Sequence, residues 1–293
     1  MKNIRIAVIG ANSFLARNFI SQLNRDRNDV FLYDIQNEHY DNEKNYFKID
    51  LKSRDQLLDD VDFSVDLLYI FSGKTGTKAG FESYEDFINI NETCLLNLLW
   101  SYVKLNSKAK IIYPSSRLVY KSSPTPVNEE SDLDPKSIYA VTKIACEKYL
   151  KIYNEIYGLK YNIFRICVPY GTLIPNISSY GTYEFFTNQA KKGEDITLFG
   201  NGSSKRTFTY IGDLCHILSF APFILDSDTG IYNIGGDTKS LVDIAKSISS
   251  KCHVGIKYIE WPKLDKKLEV ENVVFDSIKL DSVINYEYIK LKI

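Results

Sequence analysis

An apolar run from Ile4 to Ile9, broken only by Arg5, stops at Gly10 and passes into a helical pattern from about Ser13 to Asn24. A strand that ends on glycine and turns at once into a helix is the first half of a parallel crossover, because parallel neighbours need a helix to carry the chain back. The texture then repeats. Val30 to Tyr33, Tyr46 to Ile49, Leu67 to Phe71, Lys110 to Tyr113 and Tyr161 to Ile166 read as strands. Tyr84 to Leu105 and Ile138 to Tyr157 read as long helices, the second stopped by Gly158. This alternation predicts an α/β chain built on a doubly wound parallel sheet with helices on both faces. After Pro169-Tyr170-Gly171, Pro, Gly and Ser become frequent, and short strands are expected near Ile196–Phe199 and Arg206–Ile211. The expected division is 1–169 for the first domain and 170–293 for a smaller C-terminal lobe, partly interleaved with it.

Composition narrows the function. With 44% hydrophobic residues, 293 residues are enough for a large core. The formal net charge of -1 supplies no long-range attraction to nucleic acid or to an anionic membrane. No run approaches the roughly 20 apolar residues of a membrane span, and Ile6 to Ile9 is too short for a signal peptide. The five cysteines lie far apart without CxxC spacing, as in a reducing compartment, so the expected location is cytoplasmic. Three isolated histidines, His39, His216 and His253, make no metal-ligand cluster, and no metal is expected.

Two local patterns carry chemistry. Gly10-Ala-Asn12-Ser13-Phe14-Leu15-Ala16 lies where a dinucleotide pyrophosphate meets a helix N-terminus. Gly10 supplies the tight turn, Ala16 allows close helix–sheet packing, and Ser13 stands where a glycine would let backbone approach phosphate. Asp34 follows the second strand, where a carboxylate accepts hydrogen bonds from the adenosine ribose and repels a 2′-phosphate. No arginine follows in Ile35 to Asn37, so the pattern selects NAD over NADP. The second pattern is Tyr139 and Lys143, one helical turn apart, about twenty residues after Ser115-Ser116. An ammonium beside a phenol favours the phenolate, and a nearby hydroxyl can bind the same substrate oxygen. Tyr40–Lys44, Tyr286–Lys290 and Tyr288–Lys292 repeat the spacing by chance; the ordered context singles out Tyr139.

The series Gly10, Asp34, Asp50-Leu51, Ser116, Tyr139-x-x-x-Lys143, Arg165 and Tyr170-Gly171 resembles the extended short-chain dehydrogenase/reductase family over nearly the whole chain. That family comprises nucleotide-sugar epimerases, dehydratases and ketoreductases on a Rossmann-type sheet. The resemblance implies that Asp50 and Leu51 contact adenine, that Ser72 and Gly73 form the loop under the cofactor, and that Asn91 lies on the flanking helix. It makes Tyr139 the acid/base, Lys143 its activator and ribose anchor, and Ser116 the second hydrogen-bonder. Asn201-Gly202 through Asp213 is similar to the segment that grips a nucleotide diphosphate, with Arg206 as its phosphate ligand. Arg117, Asn176 and Phe199 complete the implied substrate contacts, and the two long helices resemble those that pair into a homodimer.

Two departures separate the reactions. Ser13 replaces the middle glycine, and its Cβ is expected to weaken the pyrophosphate site or shift the cofactor. Arg117 and Leu118 follow Ser116 where the dehydratases carry Asp-Glu, and neither can exchange a proton with a sugar as a carboxylate does. The cysteine of GDP-fucose synthase relatives is also missing near the serine, which argues against double epimerisation. An NDP-hexose 4-epimerase, favoured by Asp34, and an NAD(P)H-dependent 4-ketoreductase, favoured by the short C-terminal lobe, both remain. A non-catalytic NAD- or nucleotide-sensing protein is the reading of another class.

Overall fold

A computed structural model describes residues 3–24, 27–175, 177, 181–225 and 229–291. The strands are β1 (Ile4–Ile9), β2 (Asn28–Asp34), β3 (Tyr46–Lys48), β4 (Leu67–Ile70), β5 (Lys110–Ser116) and β6 (Tyr161–Ile166), then β7 (Val168–Tyr170), β8 (Ile196–Phe199), β9 (Lys205–Tyr210), β10 (Thr229–Asn233), β11 (Asp237–Ser240) and β12 (Ile256–Ile259). The principal helices are α1 (Phe14–Gln22), α2 (Arg54–Asp60), the short α3 (Ala79–Glu82) and α4 (Tyr84–Phe87), α5 (Cys94–Lys104), α6 (Ile138–Tyr157), α7 (Thr182–Lys191), α8 (Ile211–Ile224) and α9 (Leu241–Cys252).

The chain forms two compact units, each assembled from separated stretches. The first holds residues 1–116, 137–164 and 215–232; the second holds 117–136, 165–214 and 233–293. The expected cut at 169/170 therefore falls inside the second unit's stretch Arg165–Leu214. The physical cause is the return of the chain after residue 214: Tyr69, fully buried in β4, donates its phenol proton to the Leu218 carbonyl of α8 at 2.7 Å.

The main sheet runs in the order β10-β6-β5-β4-β1-β2-β3. β1 pairs parallel with β2 and β4, β2 with β3, and β4 with β5. The chain thus winds outward from β1 through β2 and β3, then crosses to the other side at β4. Such a reversal opens a crevice at the carboxyl ends of the two central strands, where ligands bind in open α/β sheets. Register fixes what borders it: Ile9 pairs with Tyr33 and with Ile70, so Gly10, Asp34 and Ser72 all follow aligned strand ends. The strands are apolar at almost every position because helices cover both faces; Ala7, Ile9, Leu68, Ile70, Ile111 and Ile163 are all in the buried core.

Helix α6 keeps its expected bounds. Ser137 caps it by accepting from Ala140 N at 3.2 Å, and Gly158 ends it in the left-handed region with φ 70°. The expected helix from Tyr84 to Leu105 is corrected: residues Ile88–Thr93 form a π-helical segment between α4 and α5, in which Cys94 N bonds back to Asn89 O. The extra residue lets Asn91 face inward, where its amide meets Lys74 N and O and Thr142 Oγ1.

Candidate active site

In the first unit the crevice is a cleft of about 340 Å³. Eight of the expected cofactor residues line it: Gly10, Asn12, Ser13, Asp34, Asp50, Leu51, Ser72 and Gly73. Gly10 sits at φ +80°, and a Cβ there would lie 2.4 Å from Ser72 N, so only glycine closes this turn. Its amide and that of Ala11 both donate to Tyr33 O, at 2.8 and 3.1 Å. Phe14 and Leu15 form the first turn of α1, which carries no acidic side chain to oppose an anion at the positive helix end. Asn97 holds the Asp50–Lys52 loop, donating to Leu51 O at 3.0 Å and Lys52 O at 3.3 Å. A glycine-only turn, an uncontested helix end and a carboxylate at the next strand fit a dinucleotide.

Ser13 is not a damaged glycine. It lies at φ −67° and ψ 152°, where any residue is comfortable, and caps α1 by accepting from Ala16 N at 3.3 Å. Its side chain turns back onto the helix end. Asp34 accepts from Asn12 N at 3.0 Å and from Gln36 N at 3.3 Å. The Asn12 side chain stitches the following loop to the cleft, donating to Glu38 O and Tyr46 Oη and accepting from Tyr40 N. Tyr40, Lys52, Ile90 and Cys94 also line the cleft. No motif marks them, and only the register of the sheet brings them there.

Strand β5 ends in Ser115 and Ser116, both buried. Ser115 Oγ donates to the buried carboxylate of Glu147 at 2.5 Å. On α6, Tyr139, Lys143 and Glu147 follow one another at single-turn spacing. Lys143 is buried and donates from Nζ to Tyr113 Oη at 3.1 Å and Pro114 O at 2.8 Å, so helix α6 and strand β5 jointly aim it. Burial lowers its pKa to about 8. Tyr139 is half-buried, and burial drives the pKa of Tyr113 well above the ordinary phenol value. Tyr113, Ser115 and Glu147 escaped the sequence reading because their part depends on the pairing of β5 with α6.

The second unit holds a basic cluster. Arg206, on β9, is 4% exposed; it donates to Thr182 Oγ1 at 2.8 Å and pairs with Glu269 at 2.5 Å. Its Nε is buried with no hydrogen-bond partner among the described residues. Arg117 donates to Val270 O at 3.1 Å and lies 4.0 Å from the same Glu269 carboxylate. Burial, and then the charge of Arg206, bring its pKa down to about 10. Two guanidiniums sharing one carboxylate, with an orphaned N–H, form a buried cluster of surplus positive charge, a chemistry suited to a phosphate. Asp213 is not the partner of Arg206; it accepts from Tyr286 Oη and Ile289 N. Phe199 stacks on Trp261 with ring centroids 5.0 Å apart, beside a cleft of about 230 Å³ shared with Asn201 and Gly202. Asn176 lies outside the described residues. Arg165 stacks over Tyr120 at 4.7 Å and serves the core of this unit. Among the described residues no group of side chains could hold a metal, and no helix is long and apolar enough to cross a membrane.

Known proteins resemble this chain. A putative UDP-glucose 4-epimerase of Methanocaldococcus jannaschii is 28% identical over 247 residues, covering 81% of this chain and 79% of its own length. UDP-glucuronate 4-epimerase 4 of Arabidopsis thaliana is 29% identical over 231 residues, 72% of this chain, which spans about half (52%) of that longer relative. The crystal structure of Thermus thermophilus UDP-glucose 4-epimerase in complex with NAD shares the fold, with a TM-score of 0.83 at 23% identity over 95% of this chain and 92% of that one. The model of the NAD dependent epimerase/dehydratase family matches residues 6–235, and the chain belongs to that family.

Proposed function

We propose that the chain is an NAD-dependent epimerase that inverts C4 of a nucleotide-diphosphate sugar. The observation that carries this reading is Lys143, an ammonium buried against β5 on the same helical face as Tyr139, one strand end away from Ser116. The relatives named for UDP-glucose and UDP-glucuronate 4-epimerisation support the reaction and the substrate class. Gly10, Asp34 and the α1 terminus would hold NAD in the cleft, where it would supply reversible hydride chemistry at C4. Tyr139 takes the proton of the C4 hydroxyl and gives it back after the sugar has turned. Ser116 hydrogen-bonds the same oxygen, and Lys143 stabilises the phenolate and anchors the nicotinamide ribose. Arg206 and Arg117 hold the diphosphate, with Phe199 near the nucleoside and Asn91 shaping the cofactor wall.

The test is to denature the purified protein and assay the supernatant for released cofactor. An enzyme that recycles its hydride should release about one NAD per chain, and should then interconvert C4 epimers of a UDP-hexose without added cofactor. A protein that is empty, and turns over a 4-keto sugar only when NADH or NADPH is added, would be a 4-ketoreductase instead.

The active form is a homodimer in this reading. Val141, Ile152 and Ile156 leave exposed apolar positions along α6, at 47%, 47% and 65% exposure, and a second copy would cover them. Sedimentation equilibrium at micromolar concentration should return twice the chain mass; the mass of one chain would end this claim. Five free cysteines suit a reducing compartment such as the cytoplasm.

A further inference from the structure

The proton chemistry assigned to Tyr139 needs a cation beside it, yet Lys143 is placed where a cation is costly. It is 8% exposed, and its hydrogen-bond partners, Tyr113 Oη and Pro114 O, are both neutral oxygens. A buried ammonium without an opposing charge gives up its proton rather than remain ionised. The groups around it come from several elements. Tyr113 meets it from β5, Tyr139, Cys146 and Glu147 lie on its own helix, Glu92 of the π segment acts on Cys146, and Ser115 of β5 and Tyr161 of β6 act on Glu147. Burial raises the pKa of Tyr113, of Tyr161 and of Cys146, the last to about 11, so these three are neutral at physiological pH. Glu92 accepts from Tyr149 Oη at 2.8 Å on the outer side of the helix. The remaining carboxylate is Glu147, one turn beyond Lys143, 4% exposed and interacting with it electrostatically.

We infer that Glu147 is a positioning residue of the active site: its carboxylate is the counter-charge that keeps Lys143 an ammonium, and its bond to Ser115 fixes the strand end that presents Ser116. The inference rests on the acid/base reading above for its catalytic meaning. The electrostatic part stands on this chain's own groups. Surface glutamates on a helix are worth little to a lysine one turn away, because water screens them. Here both groups are removed from water, where an opposite charge moves a pKa by about one to three pH units.

The experiment follows the Lys143 side chain by NMR in protein labelled at lysine Cε, with the resonance assigned by its loss in Lys143→Arg. The wild-type midpoint is expected near 8. In Glu147→Gln, which keeps the shape and loses the charge, it should fall by about one pH unit or more, and the alkaline limb of kcat should move with it. Ser115→Ala should lower kcat and leave the midpoint in place. A folded Glu147→Gln protein with the wild-type midpoint overturns the proposal and leaves Glu147 a purely structural residue. If Glu147→Gln is too unstable to titrate, unfolding of Lys143→Met/Glu147→Gln decides instead. Removing both charges should give a more stable protein than Glu147→Gln alone, and equal or lower stability overturns the inference. The titration uses no substrate, so a failure of the 4-epimerase reading would appear separately, as absent turnover in a wild-type protein whose Lys143 still titrates as expected.

Discussion

Tyr139→Phe is expected to reduce turnover about 10³-fold, or roughly 4 kcal/mol of transition-state stabilisation, while the protein stays folded and keeps its NAD. The size follows from what the hydroxyl does. General acid–base transfer by a positioned group is worth about 10²- to 10⁴-fold, and the same proton must leave the sugar oxygen before inversion and return after it. The substitution spares the scaffold. Tyr139 is half-buried in the first turn of α6, whose cap is the Ser137 hydroxyl on Ala140 N and whose far end is closed by Gly158. Its carbonyl still accepts from Thr142 Oγ1 at 2.9 Å. The measurement is kcat for C4 inversion, together with NAD released per chain and the midpoint of thermal unfolding. A variant within tenfold of wild type, with NAD retained, would remove Tyr139 from the reaction and favour the sensing reading. Loss of NAD together with activity would make the residue a cofactor contact instead.

The parts of this site legible in the sequence are those governed by short-range chemistry. Gly10 was readable because a strand ending on glycine before a helix requires φ > 0, and it has φ +80°. Helix α6 was readable from Ser137 to Gly158 because a serine cap and a left-handed glycine stop are local signals. Asp34 was readable because a parallel strand delivers its last residue to the crevice. What could not be read depends on residues far apart in sequence. Arg206 showed Lys205 and Asp213 as neighbours, but its ion-pair partner is Glu269, 63 positions away. The hydroxyl that bonds Glu147 is that of Ser115, and only the pairing of β5 with α6 decides that. The π segment is invisible to periodicity, since one extra residue in an otherwise apolar helix barely moves the pattern. The capping role of Ser13 follows from its own residue type and its place before α1.

The second unit depends on one amide. Asn233 is fully buried, and its side chain makes three hydrogen bonds: it accepts from Tyr120 Oη at 2.7 Å and donates to Val127 O at 2.9 Å and Asp276 O at 3.2 Å. Its backbone N–H donates to Glu129 Oε1 at 2.6 Å. These bonds tie residues 117–136, which begin with Arg117 directly after Ser116, to the chain near 276 that leads back to Glu269. The guanidinium of Arg165 closes the network from above, over the Tyr120 ring and on Glu129 O at 3.3 Å. Asn233→Ala keeps the backbone bond and removes the side-chain partners of the Tyr120 hydroxyl and of Asp276 O, while Val127 O still accepts from Asp276 N at 2.8 Å. Each unpaired buried group costs about 1–3 kcal/mol, so the expected loss is roughly 2–4 kcal/mol, a large share of the ~5–15 kcal/mol that holds a domain together. Denaturant unfolding of the purified variant measures it, and a loss under about 1 kcal/mol would mean that water enters and satisfies the stranded groups. The loss should not fall evenly on the chemistry. Lys143, Tyr113 and Glu147 all lie in the first unit, whereas Arg117, Glu269 and Arg206 depend on the network. The folded fraction of Asn233→Ala should therefore keep its NAD and most of kcat while KM for the nucleotide sugar rises, because the diphosphate cradle loosens before the acid/base pair does.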